Sequence, residues 1–218
     1  MSGASTVRTY LCLIVGLLVL AGCGSRRSSP DNPMSAGGLT PSIQDAEAGL
    51  VGVAPGFDIR RYKIIAVEVF PVTDPDMKDA GDKAFAAKMT SRFQLELVRR
   101  LNESGLFQQI VNTSQTQLKP TNAPALRLRG SITRLGRGSQ VARYFAGLYG
   151  AGATRAQADM QLVDAASNRV VVVTADRRLA SVGFFGGSDE EHLEESFDDI
   201  ARDLAKFLVR LSKGEAPK

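Results

Sequence analysis

The chain of 218 residues has one histidine, no tryptophan and two cysteines. A lone His192 excludes a multi-histidine metal site and gives a histidine-based catalytic triad little to build on. The cysteines exclude as much: Cys12 sits inside an apolar run and Cys23 just after it, so the rest of the chain has no disulfide and no thiolate for catalysis or zinc. Long hydrophobic runs are also missing. The one sustained run, Tyr10 to Leu20, is roughly 12 residues, against the roughly 20 that a spanning helix needs. Charge of one sign is scarce too. The net charge of +4 is mild, and no basic run is interleaved with aromatics, which argues against a nucleic-acid partner.

What the N-terminus does have is a charged start at Arg8, the apolar stretch Leu11 to Leu20, the small residues Ala21 and Gly22, and then Cys23. This resembles the lipobox of bacterial lipoproteins, in which the cysteine thiol is diacylated, cleavage precedes it and its amine is acylated. One acyl chain holds a protein marginally, whereas several anchor it stably. An ordinary signal peptide with an incidental cysteine, or an uncleaved anchor, are the alternatives; length, charge and small residues together favour the lipobox. Residues 1–22 are thus expected as a signal peptide, with fatty acids such as palmitate on Cys23 and the lipid bilayer as first partner. Gly24, rather than Asp, after the cysteine resembles sorting to the outer membrane, with the chain facing the periplasm.

Cleavage before Cys23 leaves 196 residues, suited to one domain and a tail. Residues 23–56 are rich in Ser, Gly, Pro and Ala, a composition that buries too little surface to order itself. They are expected as a lipidated flexible tether spanning roughly 30–35 Å, with a protease-resistant domain from Phe57, residues 57–218.

Within that domain, Lys63 to Phe70 reads as a buried strand. Phe85, Met89, Phe93, Leu97 and Leu101 recur every fourth position, which predicts a helix from an N-cap at Asp82 to a stop at Gly105. Leu106 to Val111 reads as a short strand. Leu126, Leu128 and Ile132 alternate with Arg127, Arg129 and Ser131, and Ala156, Ala158, Met160 and Leu162 with Gln157, Asp159 and Gln161, predicting two half-buried strands. A turn at Asp164 to Asn168, where Asn168 tolerates positive φ, joins the second to a valine-rich strand, Arg169 to Ala175. Ser188 to Ser212 is the clearest helix, opened by a capping-box pair, Ser188 and Glu191. These elements predict a single α/β domain: a mixed sheet of about five strands with two long helices packed on it.

Candidate sites each have a plain competitor. Asp189, Glu190, Glu191, Glu194, Glu195, Asp198 and Asp199 suggest a cation site, but matching of the helix dipole and solubility account for the run. His192 reads as a surface residue of the same first turns. The glycines of 136–152 do not form a phosphate-binding loop, since no Lys-Ser/Thr pair opening a helix follows them. Two readings of that segment stand. Its glycines permit sharp bends and close strand packing, or its aromatics, with Arg137, Arg143 and Arg155 around them, touch lipid headgroups or a partner protein. In the second reading Arg143, Tyr144, Phe145, Leu148 and Tyr149 are the contact residues. Arg127, Arg129, Arg134, Arg137 and Arg143 are a candidate basic patch, or simply a solvated strand face.

Gly136-Arg137-Gly138, then Arg143-Tyr144-Phe145-Ala146-Gly147 to Gly150-Ala151-Gly152, followed by an alternating strand ending in Asp164, is similar to an uncharacterised bacterial lipoprotein family. That family has a lipobox, a glycine-rich R-Y-x-x-G-x-G-x-G stretch and a D-x-x-T/S-G turn. Here Gly147 and Gly150 stand one residue further apart, and Asn168 replaces the turn glycine. The resemblance implies location and fold, and no activity. More distantly, the element order looks like the N-terminal domain of TolB and the curli-secretion lipoprotein.

The expectation is therefore a non-enzymatic lipoprotein that binds or scaffolds an envelope protein partner, with no cofactor and no metal. Its competitors are a membrane-inserting assembly or export lipoprotein using the glycine-aromatic segment, and a carboxylate-based hydrolase.

Overall fold

In a computed structural model, which describes residues 25–119, 123–136, 154–180 and 188–218, the alternating segments form the centre of one eight-stranded mixed sheet. Its strands are β1 (Arg26–Ser28), β2 (Ile43–Asp45), β3 (Gly49–Val53), β4 (Ile64–Val67), β5 (Gln109–Asn112), β6 (Ala125–Gly136), β7 (Thr154–Asp164) and β8 (Val170–Ala180). They lie in the order β2-β3-β8-β7-β6-β4-β5, with β1 also paired to β8. β4 runs parallel to β5 and β6, and every other pairing is antiparallel. Helix α1 (Ala80–Glu103) connects β4 to β5, and α2 (Asp189–Ser212) ends the fold. No described helix is long and apolar enough to cross a membrane.

Both helices bury their stripes on one face of the sheet. Met89, Phe93, Leu97 and Leu101 of α1 and Leu193, Phe197, Ile200, Leu204, Phe207 and Leu208 of α2 share one core with Ile65, Val67, Leu126, Leu128 and Ile132. At its centre the Phe93 ring lies 5.1 Å from Phe70 and 4.9 Å from Phe197. Leu204→Ala should cost about 2–5 kcal/mol through lost burial and a residual cavity. Lys83→Ala on the exposed side of α1 should stay within about 0.5 kcal/mol; comparing their thermal melts checks both.

The caps follow local chemistry. Ser188 and Glu191 form the expected capping box of α2. The N-cap of α1 is Asp79 rather than Asp82, because Asp82 serves as the reciprocal third residue of its own capping box. Gly105 ends this helix at φ 65°, and Asn168 takes φ 55° in its turn.

The larger departure is residues 25–56, expected as a tether. They supply three strands: β1 and β3 share one edge of β8, Arg26 to Ser28 facing Leu179 to Arg177 and Leu50 to Val53 facing Ala175 to Val172. Gly49 takes φ 73°, and a Cβ there would stand 2.4 Å from the Ala175 carbonyl oxygen. Their remainder roofs the sheet face opposite the helices, where Ala36 and Leu39 cover Val163, Val170 and Val173. This adds three strands to the five expected. It also explains why Gln157 and Asp159, expected to face water, are buried: the Gln157 amide donates to the Asp31 carbonyl at 2.8 Å and accepts from the Asp31 N–H at 2.7 Å.

Ion pairs fix the segment. The Arg27 guanidinium meets Asp176 at 3.1 Å and Asp203 of α2 at 3.2 Å, and donates to the Ala46 and Glu47 carbonyls. Arg178, nearly buried, bridges the same two carboxylates at 2.8 Å each. Asp45, fully buried, binds Arg210 at 2.6 Å. Burial opposes its ionisation, but Arg210 and the N–H groups of Ala48, Glu47 and Lys218 outweigh it and hold the carboxyl below its ordinary range.

The acidic face of α2 is likewise not merely solvated. Lys88 pairs with Glu190, Arg92 with Glu194 at 3.5 Å, and Arg99 and Arg100 with Asp198 at 2.6 Å each, lacing α1 to α2. His192 is not a surface residue: its side chain is only 12% exposed.

Asp159 is shifted in the opposite direction to Asp45. Burial beneath the roof pushes its carboxyl from 3.8 up to about 6, against the lowering effect of the Gln157 hydrogen bond. With the folded value above the unfolded one, its stabilising contribution is complete below about 3.8 and is lost as pH rises through about 6. Asp159→Asn should therefore stabilise the protein at pH 7.5 by about 1–3 kcal/mol and leave the melting temperature near pH 3.5 unchanged. Melts across that range check the sign.

Candidate functional site

The expected contact residues Cys23, Arg143, Tyr144, Phe145, Leu148 and Tyr149 lie outside the described residues. Of the candidate basic patch, Arg127 is bound by Glu68 and Arg134 lies 3.6 Å from Asp31. Arg129 is half-buried, and Arg137 and Arg143 fall outside the described residues. The patch is therefore not assembled among the described residues.

A different concavity is. Where β4, β5 and β6 run side by side, Ile64, Ala66, Val111 and Ala125 turn away from the helices into a small second core with Leu118 and Ala165. The alanines at 66 and 125 fill little space, and a groove of 1090 Å³ opens over them. Its wall is the β7–β8 turn. There Asp164 Oδ1 accepts from the Ser167 N–H and hydroxyl, both at 2.7 Å, and from the Ala166 N–H at 3.1 Å. Asp164 Oδ2 accepts from the Tyr62 hydroxyl at 2.8 Å.

These bonds decide what the groove can do. The Ser167 N–H is the largest influence holding Asp164 below its ordinary range, so it stays ionised and saturated with donors. Burial, then Asp164, pushes Tyr62 up to about 12, which keeps it a phenol. A carboxylate with four donors is a poor general base, so the Ser167 hydroxyl that donates to Asp164 is held in the turn rather than activated. Four cations line the groove: Arg61, Lys119, Arg127 and Arg169. Arg127 is neutralised by Glu68. Arg61, Lys119 and Arg169 are exposed, and among the described residues none of the three forms an ion pair. An apolar floor under unpaired cations suits an anionic ligand with some apolar body. A smaller groove between the C-terminal ends of the helices, 360 Å³, is satisfied internally: Arg100 pairs with Glu103 and Arg210 with Glu47.

Sequence reading found the Asp164 turn and missed Arg61, Tyr62 and Arg169 as its neighbours. The one available signal was Arg60-Arg61-Tyr62 directly before a buried strand, which places cations at a strand mouth.

Residues 58–183, more than half of the chain, match the family described as Domain of unknown function (DUF4410). The chain belongs to this family. That agrees with the uncharacterised family read from the glycine motif. The family match begins after β3 and ends before α2, so β1, β2, β3 and the last helix lie outside it. No curated protein matches the chain. Among solved structures, the chain is similar to the PelC dodecamer from Paraburkholderia phytofirmans, at 14% identity over 71% of this chain and 94% of that one, TM-score 0.44. A DUF330 protein from Xanthomonas campestris is similar at 12% identity over 74% and 92%, TM-score 0.47. A Caulobacter crescentus protein described as a candidate lipoprotein is similar at 14% identity over 73% and 96%, TM-score 0.38. At this distance none of them informs function.

Proposed function

We propose that the protein is an acylated lipoprotein of the outer membrane, facing the periplasm, whose domain binds an envelope partner and performs no catalysis. The lipobox-like Leu20 to Cys23 supports the location. The observation that carries the binding role is the groove beneath Arg61, Lys119 and Arg169, where cations stand unpaired over an apolar floor and the one carboxylate–phenol pair is locked in a turn. The partner is an envelope protein presenting an acidic segment.

Two measurements test the two halves. An alkyne fatty acid should label the wild type and not Cys23→Ala; equal labelling of both removes the anchor. A photo-crosslinking residue at Ala166, on the groove wall, should trap one discrete envelope protein in intact cells. Arg61→Glu with Arg169→Glu should abolish that adduct while the melting temperature stays within the range of exposed substitutions. An adduct indifferent to both reversals would show that the groove is not the binding site.

A further inference from the structure

The described residues begin two positions after Cys23. Ser25 already hydrogen-bonds Asp199 of α2, and Arg26 already pairs with Leu179 in the sheet. Two residues of chain reach at most about 7 Å, so the Cα of Cys23 lies within that distance of Ser25. The sheet end beside Ser25 must therefore sit close to whatever holds the cysteine.

That end has a defined surface. Register places Arg26 of β1, Leu179 of β8, Arg155 of β7 and Gly136 of β6 in one row across four strands. Paired residues project to the same face of a sheet. The neighbouring row, Arg27, Arg178 and Ala156, faces the helices, because Arg27 and Arg178 bind Asp203 of α2. The row at Leu179 therefore faces away from them. Arg26 and Arg155 are exposed, and among the described residues neither forms an ion pair. They flank a half-buried leucine, two cations on either side of an apolar residue. The roof stops short of this row: Asp31 binds Arg177 at 2.6 Å, one pleat inward.

We propose that this row, Arg26, Leu179 and Arg155, is a membrane-resting surface that takes the phosphates of anionic phospholipid headgroups and orients the domain on its own bilayer by this end of the sheet. The proposal rests on acylation of Cys23. Each arginine near an anionic surface contributes about 1 kcal/mol, or about fivefold, so two in register suffice to orient a domain that the acyl chains already retain. The groove lies at the opposite end of the same strands, because its wall is the turn that closes β7 and opens β8. Both open on the sheet face opposite the helices, so resting on the row leaves the groove at the far end of the strands from the contact.

The test uses the acylated protein in vesicles of phosphatidylethanolamine and phosphatidylglycerol, with one spin label at Gly136→Cys or at Ala166→Cys. Gly136 accepts a Cβ without crowding, its nearest neighbour being Arg155 Cβ at 3.6 Å. A nickel chelate carried on a lipid headgroup should relax the label at 136 several-fold more than that at 166. The pair Arg26→Glu and Arg155→Glu should erase this difference, while flotation with the vesicles and the melting temperature are unchanged. Equal relaxation at both positions in the unaltered protein, or a difference that survives the reversals, would overturn the proposal. Failure of the unaltered protein to float would instead remove the anchor and this surface with it.

Discussion

A protein shortened to begin at Phe57 is expected to aggregate or to melt without a cooperative transition, whereas one beginning at Ser25 melts cooperatively. The shortened chain loses β1, β2 and β3 and so bares one long edge of β8, and an unpaired edge of that length templates association. It also loses the roof over Val163, Val170 and Val173 and the Arg27 guanidinium between Asp176 and Asp203. Asp45, which holds Arg210, goes as well. Calorimetry and light scattering on the two lengths decide the matter. A soluble, cooperative protein from Phe57 would show that the N-terminal strands are an accessory layer. Limited proteolysis should agree, leaving the resistant fragment starting near Ser25.

Arg178→Met should destabilise the protein by about 3 kcal/mol or more, because removing one partner of a buried ion cluster strands the charges left behind. Asp176 and Asp203 would remain, 1% and 11% exposed, with Arg27 the one cation left bridging both among the described residues and Arg202 and Lys206 on Asp203 alone. Asp203 supplies a check of sign. Burial opposes its ionisation, but Arg178, with Arg202 and Lys206, outweighs this and holds its carboxyl below the ordinary 3.8. A depressed carboxylate contributes stability above its unfolded value and loses it as pH falls through the folded one. The gap between wild type and Arg178→Met should therefore narrow below about pH 4. Adding Asp203→Asn to Arg178→Met should recover part of the loss at pH 7. Denaturant midpoints at the two pH values measure both effects, and an undiminished gap at low pH would place the cost in packing rather than charge.

The elements legible in the sequence were those whose own side chains carry a period. The stripe from Leu193 to Leu208 and the Ser188–Glu191 pair specify α2 without any neighbour, and the alternation in 126–132 and 156–162 specifies β6 and β7. Residues 26–28 and 43–53 carry no such period. They become strands because β8 offers an unpaired edge and because Asp176, Asp203 and Arg210 offer charges. Those determinants stand more than a hundred residues away, and composition alone reads the segment as a tether. The groove was hidden for a related reason. Its small floor at Ala66 and Ala125 becomes a concavity only once the parallel register sets those two strands side by side, and Arg61 meets Arg169 only through the fold.

The length of β7 has one more consequence. Within its 11 residues, the steps from Arg155 at one end to Asp164 at the other, at about 3.3 Å each, span roughly 30 Å. Several Debye lengths separate the two ends at physiological salt, so neither set of arginines feels the other. Substitutions at Arg26 and Arg155 should add to those at Arg61 and Arg169 without coupling. Each end is then free to vary by itself, and the partner recognised at one can change without retuning the seat at the other.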